Sequence, residues 1–237
     1  MSAVEAGIKI LGFSDHVPYS FSTGHRSSFR MDESSTGEYV SQVLALREEF
    51  RGSIRIYVGY EAEYYPAEIG AMLRNIRRFE CDYLILGQHF VNNEYDGEYS
   101  GSPTCDESVL ARYADQIIQA IDTGLFTYIA HPDLICFRGE PEVYERHMTR
   151  LCRHAAGARI PLEINMLGLQ SGRPYPRGDF WRIAAREGCD AVLGCDAHRP
   201  EALADVQTEL RAREYAARFG VRLLDTVELK NIGSQRA

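Results

Sequence analysis

Short segments spread along the 237-residue sequence each end in groups able to bind a metal cation: Ser14-Asp15-His16, Glu61 with Glu63, Gln88-His89, His131-Pro132-Asp133, Glu163 with Asn165, and Asp196-Ala197-His198. Imidazole nitrogens and carboxylate oxygens without thiolate suit zinc, manganese or iron better than a structural cysteine-rich zinc site. One tetrahedral catalytic zinc needs only about three protein ligands, so a donor set of this size implies a metal cluster. A lone histidine after a strand is more often a hydrogen-bonded core or surface residue than a ligand. Here four of the seven histidines, His16, His89, His131 and His198, share that position, which favours ligation. His25, His147 and His154 fall in loop or helix and read as ordinary polar residues. Glu61 follows an apolar run, where a buried carboxylate needs a compensating metal or ion pair. Glu63 points the same way by strand alternation, and a supporting or solvated role suits it at least as well.

Such residues act together only if the fold gathers them. Apolar, β-rich runs at 8–13, 54–60, 83–86, 126–129, 160–164 and 191–194, with a weaker one at 227–229, alternate with amphipathic stretches. That βαβα alternation predicts an α/β fold with a parallel sheet, and short apolar strands fit burial on both faces. In a parallel barrel the C-terminal ends of the strands converge on one mouth, which carries the active site. Helices are predicted at 34–50, 66–79, 106–123, 141–156, 178–186 and 200–219. Within 106–123, Leu110, Tyr113, Ile117 and Ile121 recur at helical spacing, with Asp106 as the cap and Gly124 as the stop.

The length, with 45% hydrophobic and 11% aromatic residues, suits one domain spanning 1–237. The net charge of −8 argues against sequence-independent nucleic-acid binding, which needs a concentrated basic surface. A small-molecule partner is expected instead. The six cysteines form no CxxC pair and several sit in apolar runs, which fits a reducing cytoplasm. No apolar run approaches the roughly 18 residues of a membrane span, and no signal-peptide pattern opens the sequence.

The strings Gly12-Phe13-Ser14-Asp15-His16, Gly87-Gln88-His89-Phe90, Ala130-His131-Pro132-Asp133 and Gly194-Cys195-Asp196-Ala197-His198 resemble, in order and spacing, the successive motifs of the polymerase-and-histidinol-phosphatase (PHP) superfamily. Leu162-Glu163-Ile164-Asn165, with Gly168-Leu169 and Arg173-Pro174-Tyr175-Pro176, resembles its histidinol-phosphatase branch. The matching segments run from about Ala6 to His198. The resemblance implies a distorted seven-stranded, TIM-like β/α barrel with up to three divalent ions at its mouth. It implies that Glu61 bridges two metals, that His89 and His131 complete one of them, that Asp196 binds the other, and that His16 and His198 hold the third. Glu61, Asp196 and His198 are the catalytic residues it implies, and Arg138 and Arg173, in preference to Arg177 and Arg26, the phosphate ligands.

The activity implied is hydrolysis of L-histidinol phosphate in histidine biosynthesis, by a metal-bound hydroxide and without a covalent phosphoenzyme. Another small phosphomonoester as substrate, and a non-catalytic metal-binding remnant, are the alternatives. One motif departs from the pattern: the family opens with His-x-His on a first strand, and here Met1 falls where the end of the first helix should be. The expectation is that in-frame sequence upstream of Met1 supplies that strand and most of a helix, and that the chain without them is poorly stable and nearly inactive.

Overall fold

The protein is described from a computed structural model covering residues 1–230 and Ile232. In chain order its strands are β1 (Ile10–His16), β2 (Arg55–Ala62), β3 (Tyr83–Leu86), β4 (Phe90–Val91), β5 (Glu98–Tyr99), β6 (Phe126–Ile129), β7 (Leu162–Asn165), β8 (Asp190–Gly194) and β9 (Arg222–Leu223). The helices are α1 (Ser2–Glu5), α2 (Thr36–Glu49), α3 (Ile69–Ile76), α4 (Glu107–Asp122), α5 (Pro141–Ala158), α6 (Met166–Ser171), α7 (Gly178–Arg186) and α8 (Val206–Phe219). Seven strands form one parallel sheet in the order β1-β2-β3-β6-β7-β8-β9, and β4 and β5 make a separate antiparallel hairpin. The large sheet curls into a half-barrel, and among the described residues its edges β1 and β9 do not pair with each other.

Strand alternation sorts the side chains into two layers. Ile56, Val58 and Tyr60 of β2, Leu84 and Leu86 of β3, and Leu162 and Ile164 of β7 are buried in the same core as Val40, Ile117, Met148, Leu151 and Trp181 of the surrounding helices. The opposite parity faces the concave side, where Tyr83, Ile85 and Ala130 pack with Tyr57, Tyr128 and Leu229. Gly12 and Gly59 make room for this aromatic filling, since a Cβ at either position would collide with the Tyr83 ring. The Tyr83 hydroxyl donates to the Phe13 carbonyl at 3.1 Å, which satisfies its polar end. Glu61 and Glu163 share the concave parity, so the same alternation that builds the core turns both carboxylates inward.

Helix α4 follows the sequence closely: Asp106 caps it by accepting from the Ser108 amide at 2.8 Å, and Gly124 follows its end at φ +67°. The run at 227–229 is not a strand. The last strand of the sheet is Arg222–Leu223 beside β8, and Leu229 turns its side chain into the concave cluster while the Lys230 amide donates to Thr127 Oγ1 at 3.2 Å. The alternating apolar pattern there marks a segment packed across the barrel interior. The stretch 200–219 divides at Asp205, which accepts from the Thr208 amide at 2.9 Å and so starts α8 after a 3-10 turn at Pro200–Ala204. No helix among the described residues is long and apolar enough to cross a membrane, and all six cysteines are free thiols.

Candidate metal centre

A cleft of about 270 Å³ opens at the C-terminal ends of the strands, with Glu61 beneath it. His16 closes β1 and lies opposite Glu61 in the strand register, its Nδ1 3.4 Å from Glu61 Oε2. His131, after β6, places Nε2 2.9 Å from Glu61 Oε1, and His89, after β3, places Nε2 3.7 Å from the same oxygen. Glu61, His89 and His131 offer ligand atoms that all lie within 4.8 Å of one another, and so do His16, Glu63 and His89. Gly87, directly after β3, is required for this approach, because a Cβ there would run into the Glu61 carboxylate.

Asp196 and His198 reach the cleft from the end of β8. Asn165 Nδ2 donates to Asp196 Oδ2 at 3.1 Å and to Glu163 Oε2 at 3.0 Å, and Asn165 Oδ1 accepts from the Gly168 amide at 2.8 Å to start α6. Glu163 Oε2 also accepts from the His131 amide at 2.9 Å. Asn165 and Glu163 therefore tie the backbone of one candidate ligand to the carboxylate of another. His131 and Asp196 both hold positive φ, +29° and +48°, a conformation that costs energy in non-glycine residues and concentrates at functional sites. His198 is exposed, with Nδ1 3.0 Å from the Asp196 carbonyl oxygen.

Electrostatics mark the cluster as a cation site. Burial alone would raise Glu61, yet the imidazoles of His89 and His131 hold it well below the usual carboxylate range. Burial would lower His131, but the hydrogen bond and charge of Glu61 lift it to about 9. Burial would likewise raise Glu63, which the Arg30 guanidinium and His89 hold down to about 2. Glu163 is pushed up to about 7 by burial. Nδ1 of His16 is buried without a hydrogen-bond partner 3.4 Å from Glu61 Oε2, and Nε2 of His89 and of His131 converge on the same carboxylate. Imidazole nitrogens gathered around one largely buried carboxylate fit a divalent ion in donor type and charge.

Other members of the same strings have structural roles. Asp133 is buried away from the cleft and accepts from the Arg177 amide at 2.5 Å. Gln88 accepts from the Tyr64 amide at 2.9 Å and donates to the Phe90 carbonyl at 2.7 Å. The two arginines separate. Arg173 lines the cleft and donates to the Tyr175 hydroxyl at 2.6 Å. Arg138 is exposed and is not among the residues that line the cleft. Its amide donates to the Thr104 carbonyl at 2.7 Å beside a bridge between Thr104 and Phe137. Arg177 is held by Asp179 and stacks 3.9 Å from the Tyr144 ring centre.

Sequence reasoning passed over the aromatic rim. Phe29, Phe90, Tyr99 and Tyr175 line the cleft, with Phe29 stacked on Phe90 at 6.2 Å between centroids and Phe90 tilted against Tyr99 at 5.6 Å. The pairing of Phe90 with Tyr99 across the β4–β5 hairpin sets the latter contact. A two-residue strand is too short to show periodicity, so this hairpin left only the adjacency of Phe90 to His89 as a signal.

A curled parallel sheet with an imidazole–carboxylate cluster at its C-terminal mouth defines a barrel-type, divalent-metal-binding protein. The PHP domain family model matches residues 1–166, and the chain belongs to that family. The probable histidinol-phosphatase of Deinococcus radiodurans is 31% identical over 211 residues, covering 84% of this chain and 78% of that protein. The histidinol-phosphatase of Bacillus subtilis is 24% identical over 229 residues, covering 83% and 84%. Among solved structures, the histidinol phosphate phosphatase of Lactococcus lactis, complexed with zinc, L-histidinol and phosphate, superposes with a TM-score of 0.71 at 20% identity over 96% of this chain and 88% of that one.

Proposed function

We propose that this chain is a metal-dependent phosphomonoesterase that hydrolyses L-histidinol phosphate to L-histidinol and phosphate, and that it keeps measurable turnover although the family's His-x-His motif is not in the sequence. The observation that carries the reading is the convergence of Glu61, His89 and His131 within 4.8 Å beneath an open cleft rimmed by Arg173. The curated relatives named histidinol-phosphatase, one of them 31% identical, support the substrate, and the zinc, histidinol and phosphate of the Lactococcus structure support both metal and ligand class.

Zinc, with manganese or iron as alternatives, would be held by Glu61, His89 and His131; Glu61 with Asp196, and His16 with His198, would hold a second and a third ion. When bound, such ions lower the pKa of water and stabilise charge on phosphoryl oxygens. The chain's own residues supply the rest. Arg173 presents a guanidinium to the phosphate, a charge-assisted contact that its bond to Tyr175 pre-orients. The aromatic rim of Phe29, Phe90 and Tyr99 narrows the approach of water beside the leaving group. The contact of His198 Nδ1 with the Asp196 carbonyl places the ring proton on Nδ1 in the neutral form, leaving the Nε2 lone pair for an ion at the mouth. The enzyme works as one domain on a small molecule in the reducing cytoplasm, which the six free cysteines support.

The test is phosphate release from L-histidinol phosphate against p-nitrophenyl phosphate as a generic aryl ester. A higher kcat/KM for histidinol phosphate supports this reading. A preference for the aryl ester would redirect it to another phosphomonoester.

A further inference from the structure

The segment 17–32 between β1 and α2 has no helical or strand periodicity, yet it buries a charged side chain. Arg30 is 1% exposed and stands between two carboxylates, Glu63 at 0% and Glu94 at 5%. Its Nη2 lies 2.6 Å from Glu63 Oε1, its Nε donates to Glu94 Oε2 at 2.8 Å, and its Nη1 donates to the Val17 carbonyl at 3.3 Å. The guanidinium lies 4.5 Å from the Phe29 ring centre and 5.2 Å from that of Tyr19. The fork is thus fixed along its edges and by two aromatic neighbours. Removing an arginine from water is expensive, and a surface tether for the loop would not need it.

The Glu63 oxygen that meets Arg30 also meets His89. Glu63 Oε1 lies 2.8 Å from His89 Nδ1, so the proton of the neutral ring sits on Nδ1 and the Nε2 lone pair is turned toward Glu61, 3.7 Å away. Carboxylates that orient a metal-bound imidazole through its second nitrogen are a recurrent part of metal sites. A fully buried carboxylate also needs a countercharge. Arg30 supplies it from outside the cluster, so Glu63 Oε1 stays on Nδ1 and need not swing inward.

We propose that Arg30, acting through Glu63, is a positioning residue of the metal centre: it fixes the carboxylate that holds the His89 ring with Nε2 facing Glu61 and His131. The inference rests on the reading of Glu61, His89 and His131 as metal ligands. It extends the centre to a loop that carries Phe29 on the rim, so one guanidinium links the cleft wall to a ligand.

The experiment measures zinc affinity of the full chain by competition with a chromophoric chelator, at a temperature where circular dichroism shows each protein folded. The variants are Glu63→Gln, Arg30→Met, their combination, and Arg30→Lys. Each of Glu63→Gln and Arg30→Met is expected to bind zinc about 10–100-fold more weakly than wild type. The double variant should bind no more weakly than the weaker single one, because both changes remove the same contact. Arg30→Lys, which keeps the charge but cannot span Glu63 and Glu94 together, should fall between wild type and Arg30→Met. The visible absorption of the cobalt(II) form should change in Glu63→Gln, a response that a purely structural role would not give. Should Arg30→Met fail to fold, Arg30→Lys and Glu63→Gln carry the test. Wild-type affinity in Glu63→Gln or in Arg30→Lys, or single losses that multiply in the double variant, would overturn the proposal. A wild-type chain that binds no zinc would overturn the metal-site reading and this inference with it. Zinc binding without histidinol-phosphate hydrolysis would contradict only the substrate, and the affinity comparison would still decide the role of Arg30.

Discussion

At the scale of the residue, the centre behaves as a cation trap in which a proton occupies His131 until a metal replaces it. Its raised value, about 9 against an ordinary 6.5, follows from the Glu61 carboxylate 2.9 Å away. Zinc binding near pH 7.5 should therefore release protons, and affinity should fall as the pH is lowered. Calorimetric titration in buffers of different ionisation enthalpy checks this, and proton uptake on binding would contradict it. The sign for stability follows from the same shift: in metal-free protein the Glu61–His131 interaction stabilises fully below pH 6.5 and is lost as the pH rises through about 9. The melting temperature of the metal-free chain should decline over that window, and His131→Gln should flatten the decline. For substrate, Arg173→Ala should lower kcat/KM by tenfold or more, the scale of a lost charged hydrogen bond of about 1.5–3 kcal/mol. Arg138→Ala should leave the kinetics unchanged, and steady-state assays of both variants decide between the two side chains. That His16, Glu61, His89, His131, Asp196 and His198 share one cleft was legible in the sequence because each lies at the end of a strand or a few residues beyond it. Arg138 and Arg173 lie farther along their loops, where distance in sequence no longer sets direction, and only one of them turns to the cleft.

At the scale of the element, strand ends and glycines set the ligand geometry. Gly87→Ala places a methyl group against the Glu61 carboxylate, so it should weaken zinc binding and lower the melting temperature together. Unchanged zinc affinity in that variant would mean that the end of β3 does not constrain Glu61. Asp106→Ala is the contrasting case: it removes the cap of α4, which does not line the cleft, and should cost about 1 kcal/mol of stability. A fall of roughly 2–4 °C in melting temperature with no change in zinc affinity is expected. Helix α4 was readable because its cap, its apolar face and its terminal glycine agree. Helix α6 was not, since its cap Asn165 was already read as the end of a strand and its length of 6 residues carries too little periodicity. The apolar alternation at 227–229 misled for a related reason: a segment that packs across a barrel interior buries alternate side chains just as a strand does.

At the scale of the whole molecule, a half-barrel gathers ligands from separate strand ends, so metal and fold should be linked thermodynamically. Zinc at about a thousand times its Kd should stabilise the chain by about 4 kcal/mol, raising the melting temperature by roughly 10 °C, and a chelator should reverse the shift. Differential scanning fluorimetry with and without zinc measures it. The parallel α/β architecture was legible from the alternation of runs, whereas the arrangement of the rim depends on long loops whose contacts only the folded molecule reveals. The most direct test of the account is phosphate release from L-histidinol phosphate by three preparations: the metal-loaded chain, the same chain stripped by chelator, and Glu61→Gln carrying the same metal supplement. The account predicts saturable release by the metal-loaded chain above the other two and its recovery when metal is returned. Equal release by all three, or none from a chain shown to hold its metal, would contradict it.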